Sequence, residues 1–156
     1  MPWIRSSIKE RLPRNAIVGG RTKLGNTIYV GRAVHNNTEI YPCSVIPAQK
    51  AAYIATAGES VFKEEYEVLC GDVYFWDRGH DGEVPSGSLI GGQNASNEQL
   101  FIGRASYNGG LYVGTIDPSR GQLFIPYEGG VMKFPVYDVM CVAKCHGCNC
   151  FECVIS

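Results

Sequence analysis

No stretch of the 156-residue sequence approaches the roughly 18 consecutive apolar residues that a membrane-spanning helix needs. The opening Met1-Pro2-Trp3-Ile4-Arg5 has no apolar core of the kind a secretory leader carries, so the chain is expected to stay in the cytosol. Charge is scarce and balanced: 14 Lys and Arg face 15 Asp and Glu, a formal net charge of −1. A surface of that kind has no basic field to capture a phosphate backbone, which excludes general nucleic-acid binding, and no acidic excess to keep the chain unfolded. The seven cysteines are odd in number. Five of them crowd the last sixteen residues, unlike the dispersed even set of a disulfide framework, and free thiols are expected. Two glycosylation sequons, Asn36-Asn37-Thr38 and Asn94-Ala95-Ser96, then read as chance matches, because their use requires the secretory pathway.

What the sequence has is an internal repeat with a period of roughly seventy residues. Ala16-Ile17-Val18-Gly19-Gly20 aligns with Ser88-Leu89-Ile90-Gly91-Gly92, and Ile28-Tyr29-Val30-Gly31-Arg32-Ala33 with Leu100-Phe101-Ile102-Gly103-Arg104-Ala105, with no gap between the blocks. After one extra residue near Thr38, Tyr53-Ile54 falls on Phe124-Ile125, Gly58 on Gly129, and Tyr66 to Cys70 on Tyr137 to Cys141. The first copy spans about 13–70 and the second about 85–142, each behind a segment carrying one tryptophan, Trp3 or Trp76. The division is therefore 1–70, 71–142 and a cysteine-rich tail, 143–156.

Within each copy, short runs rich in β-branched and aromatic residues are separated by glycine, proline and asparagine. Strands are predicted at Thr27–Val34, Glu39–Ile46, Ala52–Ala57 and Tyr66–Cys70, with a tight positive-φ hairpin at Asn36-Asn37 and at the equivalent Asn108-Gly109. The apolar run in Glu39–Ile46 does not alternate strictly, which points to burial on both faces. The glycine pairs 19–20 and 91–92 are read as turns; they lack a following lysine and precede strands, which argues against a phosphate-cradling loop. The fold class is all-β: two tandem pseudo-symmetric antiparallel units packed as one sandwich-like body.

Arg32 and Arg104 sit at equivalent points of apolar strands, and Glu67 and Asp138 are likewise equivalent. One buried base and one buried acid per unit point to structural ion pairs, with a ligand contact as the alternative. Cys43, Cys70 and Cys141 read as small core residues. His35, His80 and His146 are scattered and neighbour no serine or cysteine in a nucleophile motif, so an enzyme is the least favoured class. The tail ends in Cys153-Val154-Ile155-Ser156, which matches a farnesylation signal. A single prenyl chain anchors only marginally, so Cys145, Cys148 and Cys150 are candidate palmitoyl sites for a second anchor on the cytosolic membrane face. The alternatives are a zinc or copper(I) site built from these thiols and His146, and an unmodified tail.

The run Ile28 to Ala33, the hairpin from Asn36 to Pro42 and the closing Tyr66 to Leu69, with second copies at Leu100 to Ala105 and Tyr137 to Met140, resemble the DM-nine repeat family. The resemblance covers nearly all of 1–142 and leaves out the tail. It implies a compact tandem β architecture, often dimeric, and for some members a mannose-type lectin that needs no cofactor, metal or catalysis. The positions where sugar-binding relatives place an aspartate, a lysine and a glutamate correspond here to Thr22, Ser44 and Ser60 in the first unit. In the second they are Asn94, Thr115 and Val131, so the charged groups are replaced throughout. Hydroxyls and amides can still recognise a sugar when several converge beside an apolar surface. Two functions follow as expectations: a non-enzymatic carbohydrate-binding protein tethered by its tail, or a membrane-anchored scaffold or interaction module that has lost sugar binding.

Overall fold

A computed structural model describes residues 2–143, and the tail thiols Cys145, Cys148, Cys150 and Cys153 lie outside them. The first half forms β1 (Trp3–Ser7), β2 (Val18–Arg21), β3 (Thr27–His35), β4 (Glu39–Ile46), β5 (Ala51–Ala55), β6 (Ser60–Phe62) and β7 (Glu65–Leu69). The second repeats them as β8 (Tyr74–His80), β9 (Ile90–Gln93), β10 (Gln99–Tyr107), β11 (Gly110–Asp117), β12 (Gln122–Tyr127), β13 (Gly130–Phe134) and β14 (Val136–Val142). Every pairing is antiparallel, and no helix among the described residues is long and apolar enough to cross a membrane.

The β3–β4 hairpin turns on Asn36 and Asn37 at φ 51° and 66°, and the β10–β11 hairpin on Asn108 and Gly109 at 45° and 86°. Both central residues are left-handed, the geometry whose twist matches that of the flanking strands. Each half then builds the same pattern: β7 and β14 pair with β3 and β10, and β1 and β8 line the outside of β7 and β14.

The two halves interlock by reciprocal exchange. β2 pairs with β3 of its own half and reaches β11 of the other at Arg21↔Leu111, while β9 pairs with β10 and reaches β4 at Gln93↔Ile40. Because β3 pairs β4 and β10 pairs β11, the path β3–β4–β9–β10–β11–β2 returns to its start, a closed ring of hydrogen-bonded strands. This corrects the reading of the glycine pairs. Gly19-Gly20 and Gly91-Gly92 are strand residues, and their missing side chains let one half lie directly on the other. A Cβ on Gly20 would stand 2.0 Å from the Leu111 carbonyl oxygen, and one on Gly92 2.0 Å from that of Ile40.

The main core crosses the same boundary, joining Ile28, Val30 and Leu69 to Ile102, Val113, Ile125 and Met140. A smaller cluster around Cys43, Val45, Ile54 and Val68 belongs to the first half alone. Residues Pro42 to Ile46 of β4 are buried in succession, covered on both faces. Cys43, Cys70 and Cys141 are buried free thiols.

Candidate functional site

The Arg and acid pairs form, but on half-exposed ground, which corrects their expected burial. Arg32 Nε donates to Glu67 Oε1 at 2.6 Å, with the two side chains 27% and 37% exposed. Arg104 Nε donates to Asp138 Oδ2 at 3.3 Å, and Asp138 Oδ1 also faces Arg78 Nε at 3.3 Å. Each arginine lies over one ring: the Arg32 guanidinium is 4.4 Å from the Trp3 ring centre and that of Arg104 4.1 Å from Trp76. The tryptophan in each lead-in segment thus covers its own unit's arginine, a cation–π contact that shields the ion pair from water. Arg104 also donates to the Gly19 carbonyl at 2.9 Å and so ties the two halves together. These side chains are engaged with one another and frame the sheet.

The residues that the family pattern singles out lie elsewhere. Thr22, Ser44 and Ser60 line one cavity of about 270 Å³. Thr22 follows β2 and closes the loop into β3: its Oγ1 accepts from the Asn26 amide at 3.2 Å. Ser44 projects from β4, and its Oγ donates to the Val113 carbonyl at 2.6 Å across the joint between halves. Ser60 opens β6 on the rim.

Much of the remaining wall comes from the other half, and sequence reasoning missed it. Tyr112 of β11 is almost fully buried, and its hydroxyl accepts from the Lys23 amide at 3.2 Å. Tyr127, at the end of β12, meets Tyr112 edge to face with centroids 5.3 Å apart. Tyr53 of β5 completes the aromatic lining, its ring held edge-on by Phe62 at 5.9 Å. Gln49 and Glu128 bring further polar groups. Glu128 and Gly129 take left-handed conformations, φ 48° and 84°, in the hairpin that carries them over the cavity.

The pseudo-twofold places Asn94 and Thr115 in a second cavity, of about 200 Å³, with Asp117, Arg120 and Phe124 from the second half and Tyr41 and Thr56 from the first. It has the same plan and a different chemistry. Asn94 stands where Thr22 does, and its amide is consumed locally: Nδ2 donates to Glu98 Oε1 at 2.8 Å, and Oδ1 accepts from the amides of Ser96 and Glu98, each at 3.0 Å. Asp117 accepts from Ser119 Oγ at 2.8 Å and faces Arg120 at 3.7 Å. Thr115, in the place of Ser44, is buried with its hydroxyl unpartnered among the described residues. The Tyr41 hydroxyl is pushed up to about 12 by burial, and then by the Glu39 carboxylate that accepts its hydrogen bond. The second cavity is therefore lined mainly by internal ion pairs and hydrogen bonds, whereas the first sets its hydroxyls beside three tyrosine rings.

The DM9 repeat model matches residues 23–134, well over half of the chain. The chain belongs to the DM9 repeat family. Both cavities and the joint between halves fall within or at the edges of the DM9 segment. A solved structure titled as the nematode sperm cell motility protein MFP2B is similar over 97% of this DM9 chain at 14% identity, with a TM-score of 0.58. That likeness concerns the fold, and the DM9 chain spans 47% of the MFP2B chain. No curated protein matches.

Proposed function

We propose that the protein is a non-enzymatic carbohydrate-binding module, and that the cavity between Thr22, Ser44, Ser60, Tyr53, Tyr112 and Tyr127 takes one ring of a mannose-type sugar. The observation that carries this reading is the convergence, from both halves, of hydroxyls and tyrosine rings on a single open cavity. A sugar ring offers a polar edge to hydroxyl and amide groups and an apolar face to an aromatic ring, which is the pairing found here. At about 270 Å³ the cavity is below the size of sites that enclose drug-sized ligands, and suits a single ring.

Calorimetric titration of the protein with methyl α-mannoside, beside a glycan array, tests the proposal. Millimolar binding is expected, and Tyr127→Ala should weaken it about tenfold by removing one aromatic wall. An array on which no sugar binds, with the fold intact by circular dichroism, overturns it.

The competing proposal, an interaction scaffold that has lost sugar binding, draws support from two observations. Ser44 spends its hydroxyl on the Val113 carbonyl, and the similar MFP2B fold is titled a motility protein. Either module would be delivered to the cytosolic membrane face by a prenyl group on Cys153. The intact mass of the protein from its native source reads both where the chain ends and what it carries; an unmodified Cys153 sinks the anchor.

A further inference from the structure

A cavity that accommodates one sugar ring leaves any second ring to lie on its rim, and the rim of the first cavity continues outward as an aromatic ridge. Tyr127, inside the cavity, meets Tyr107 edge to face with centroids 5.5 Å apart and planes 80° apart. Tyr107 in turn meets Phe134 at 6.2 Å and 66°. Tyr107 is the crest of the ridge and is 42% exposed, so part of its ring stays open to solvent although two aromatic neighbours hold it. It ends β10 immediately before the Asn108-Gly109 turn. That hairpin stands against the mouth of the cavity: a Cβ on Gly109 would lie 3.8 Å from that of Lys23, a residue lining the cavity.

The other half carries only one edge-to-face pair at the matching place, His35 against Tyr41 at 5.9 Å, with no third ring continuing outward among the described residues. The places of Tyr127, Tyr107 and Phe134 are taken there by Thr56, His35 and Lys63, and His35 Nδ1 lies 3.1 Å from the Lys63 ammonium. Fold symmetry therefore does not require the three-ring run, since the equivalent strands close around a His–Lys contact and a single His–Tyr pair. Three rings in edge-to-face contact, running outward from a cavity wall and not matched as a run at its twin, supply what a carbohydrate chain needs beyond its first residue: apolar ring surface, with phenol hydroxyls on two of the three.

We propose that Tyr107, with Tyr127 and Phe134, is an extension subsite that stacks the second residue of a glycan whose first residue occupies the cavity, so that the ligand is an oligosaccharide. This rests on the proposed sugar-binding function and names its substrate class. The test compares methyl α-mannoside with α-linked mannotriose on the full protein and on Tyr107→Ala and Tyr107→Phe. The trisaccharide is expected to bind about three- to tenfold more tightly than the monosaccharide, the size of one added aromatic stacking contact. Tyr107→Ala should abolish that gain, read as the ratio of trisaccharide to monosaccharide affinity within the same variant because Tyr107 also packs on the cavity wall Tyr127, and Tyr107→Phe should keep it. A trisaccharide that binds no more tightly than the monosaccharide overturns the subsite alone. So does a gain that survives Tyr107→Ala. If neither ligand binds the wild-type protein, the sugar-binding function itself falls and takes the subsite with it.

Discussion

Gly20→Ala and Gly92→Ala are each expected to destabilise the protein by about 3 kcal/mol or more, a fall of roughly 6–12 °C in melting temperature for a chain of this size. The added methyl group meets a backbone carbonyl of the opposite half at 2.0 Å, and a carbonyl inside a sheet cannot swing aside as a side-chain tip can. The two strands would have to separate, breaking the Arg21↔Leu111 and Gln93↔Ile40 joints that close the ring. Gly129→Ala is the control. Gly129 sits at φ 84° with open space around its Cα, so alanine there costs only the left-handed strain, about 1–2 kcal/mol. Thermal unfolding of the three variants decides the matter: a Gly129→Ala protein less stable than Gly20→Ala would contradict the interlock.

Stability should also fall steeply in alkali, with Cys43 the largest single contributor. Burial pushes its thiol from 9.0 up to about 12. The folded state therefore keeps the proton while the unfolded state releases it, so the contribution is whole below pH 9 and lost as pH rises toward 12. Between about pH 9 and pH 11 that amounts to about 2–3 kcal/mol, at roughly 1.4 kcal/mol per pH unit. Tyr66, also pushed up to about 12 by burial, and Tyr41 act in the same direction from pH 10 upward. Denaturant titrations at a series of pH values should show Cys43→Ala losing less stability over this range than wild type. Equal losses would mean that the Cys43 thiol ionises as freely in the fold as out of it.

Much of the strand plan was legible because its signals are local. Glu39–Ile46 is β4 to the residue, and Thr27–Val34 falls one residue short of β3, since β-branched runs bounded by asparagine turns need no distant partner to be recognised. The glycine pairs were misread for the opposite reason. What forbids a side chain at Gly20 is the carbonyl of Leu111, ninety-one positions away, and a four-residue strand with two central glycines carries no alternation. The site divided along the same line. Thr22, Ser44 and Ser60 could be picked out by family pattern, yet two of the three tyrosines beside them, Tyr112 and Tyr127, belong to the other repeat, and nothing within a repeat tells which of its residues faces its twin. The stacking of Trp3 on Arg32 and of Trp76 on Arg104 had a usable signal, a tryptophan at the same place before each unit.

The exchange of β2 and β9 bears on how such a molecule could arise. A solitary repeat would carry one ribbon with no host and one seam with no ribbon, along with a hydrophobic face that only a copy of itself could cover. Such a half is expected to need a second copy to cover that face, the arrangement of a twofold pair held here within one chain. Within that shared frame the two mouths are chemically unlike, rings at one and salt links at the other.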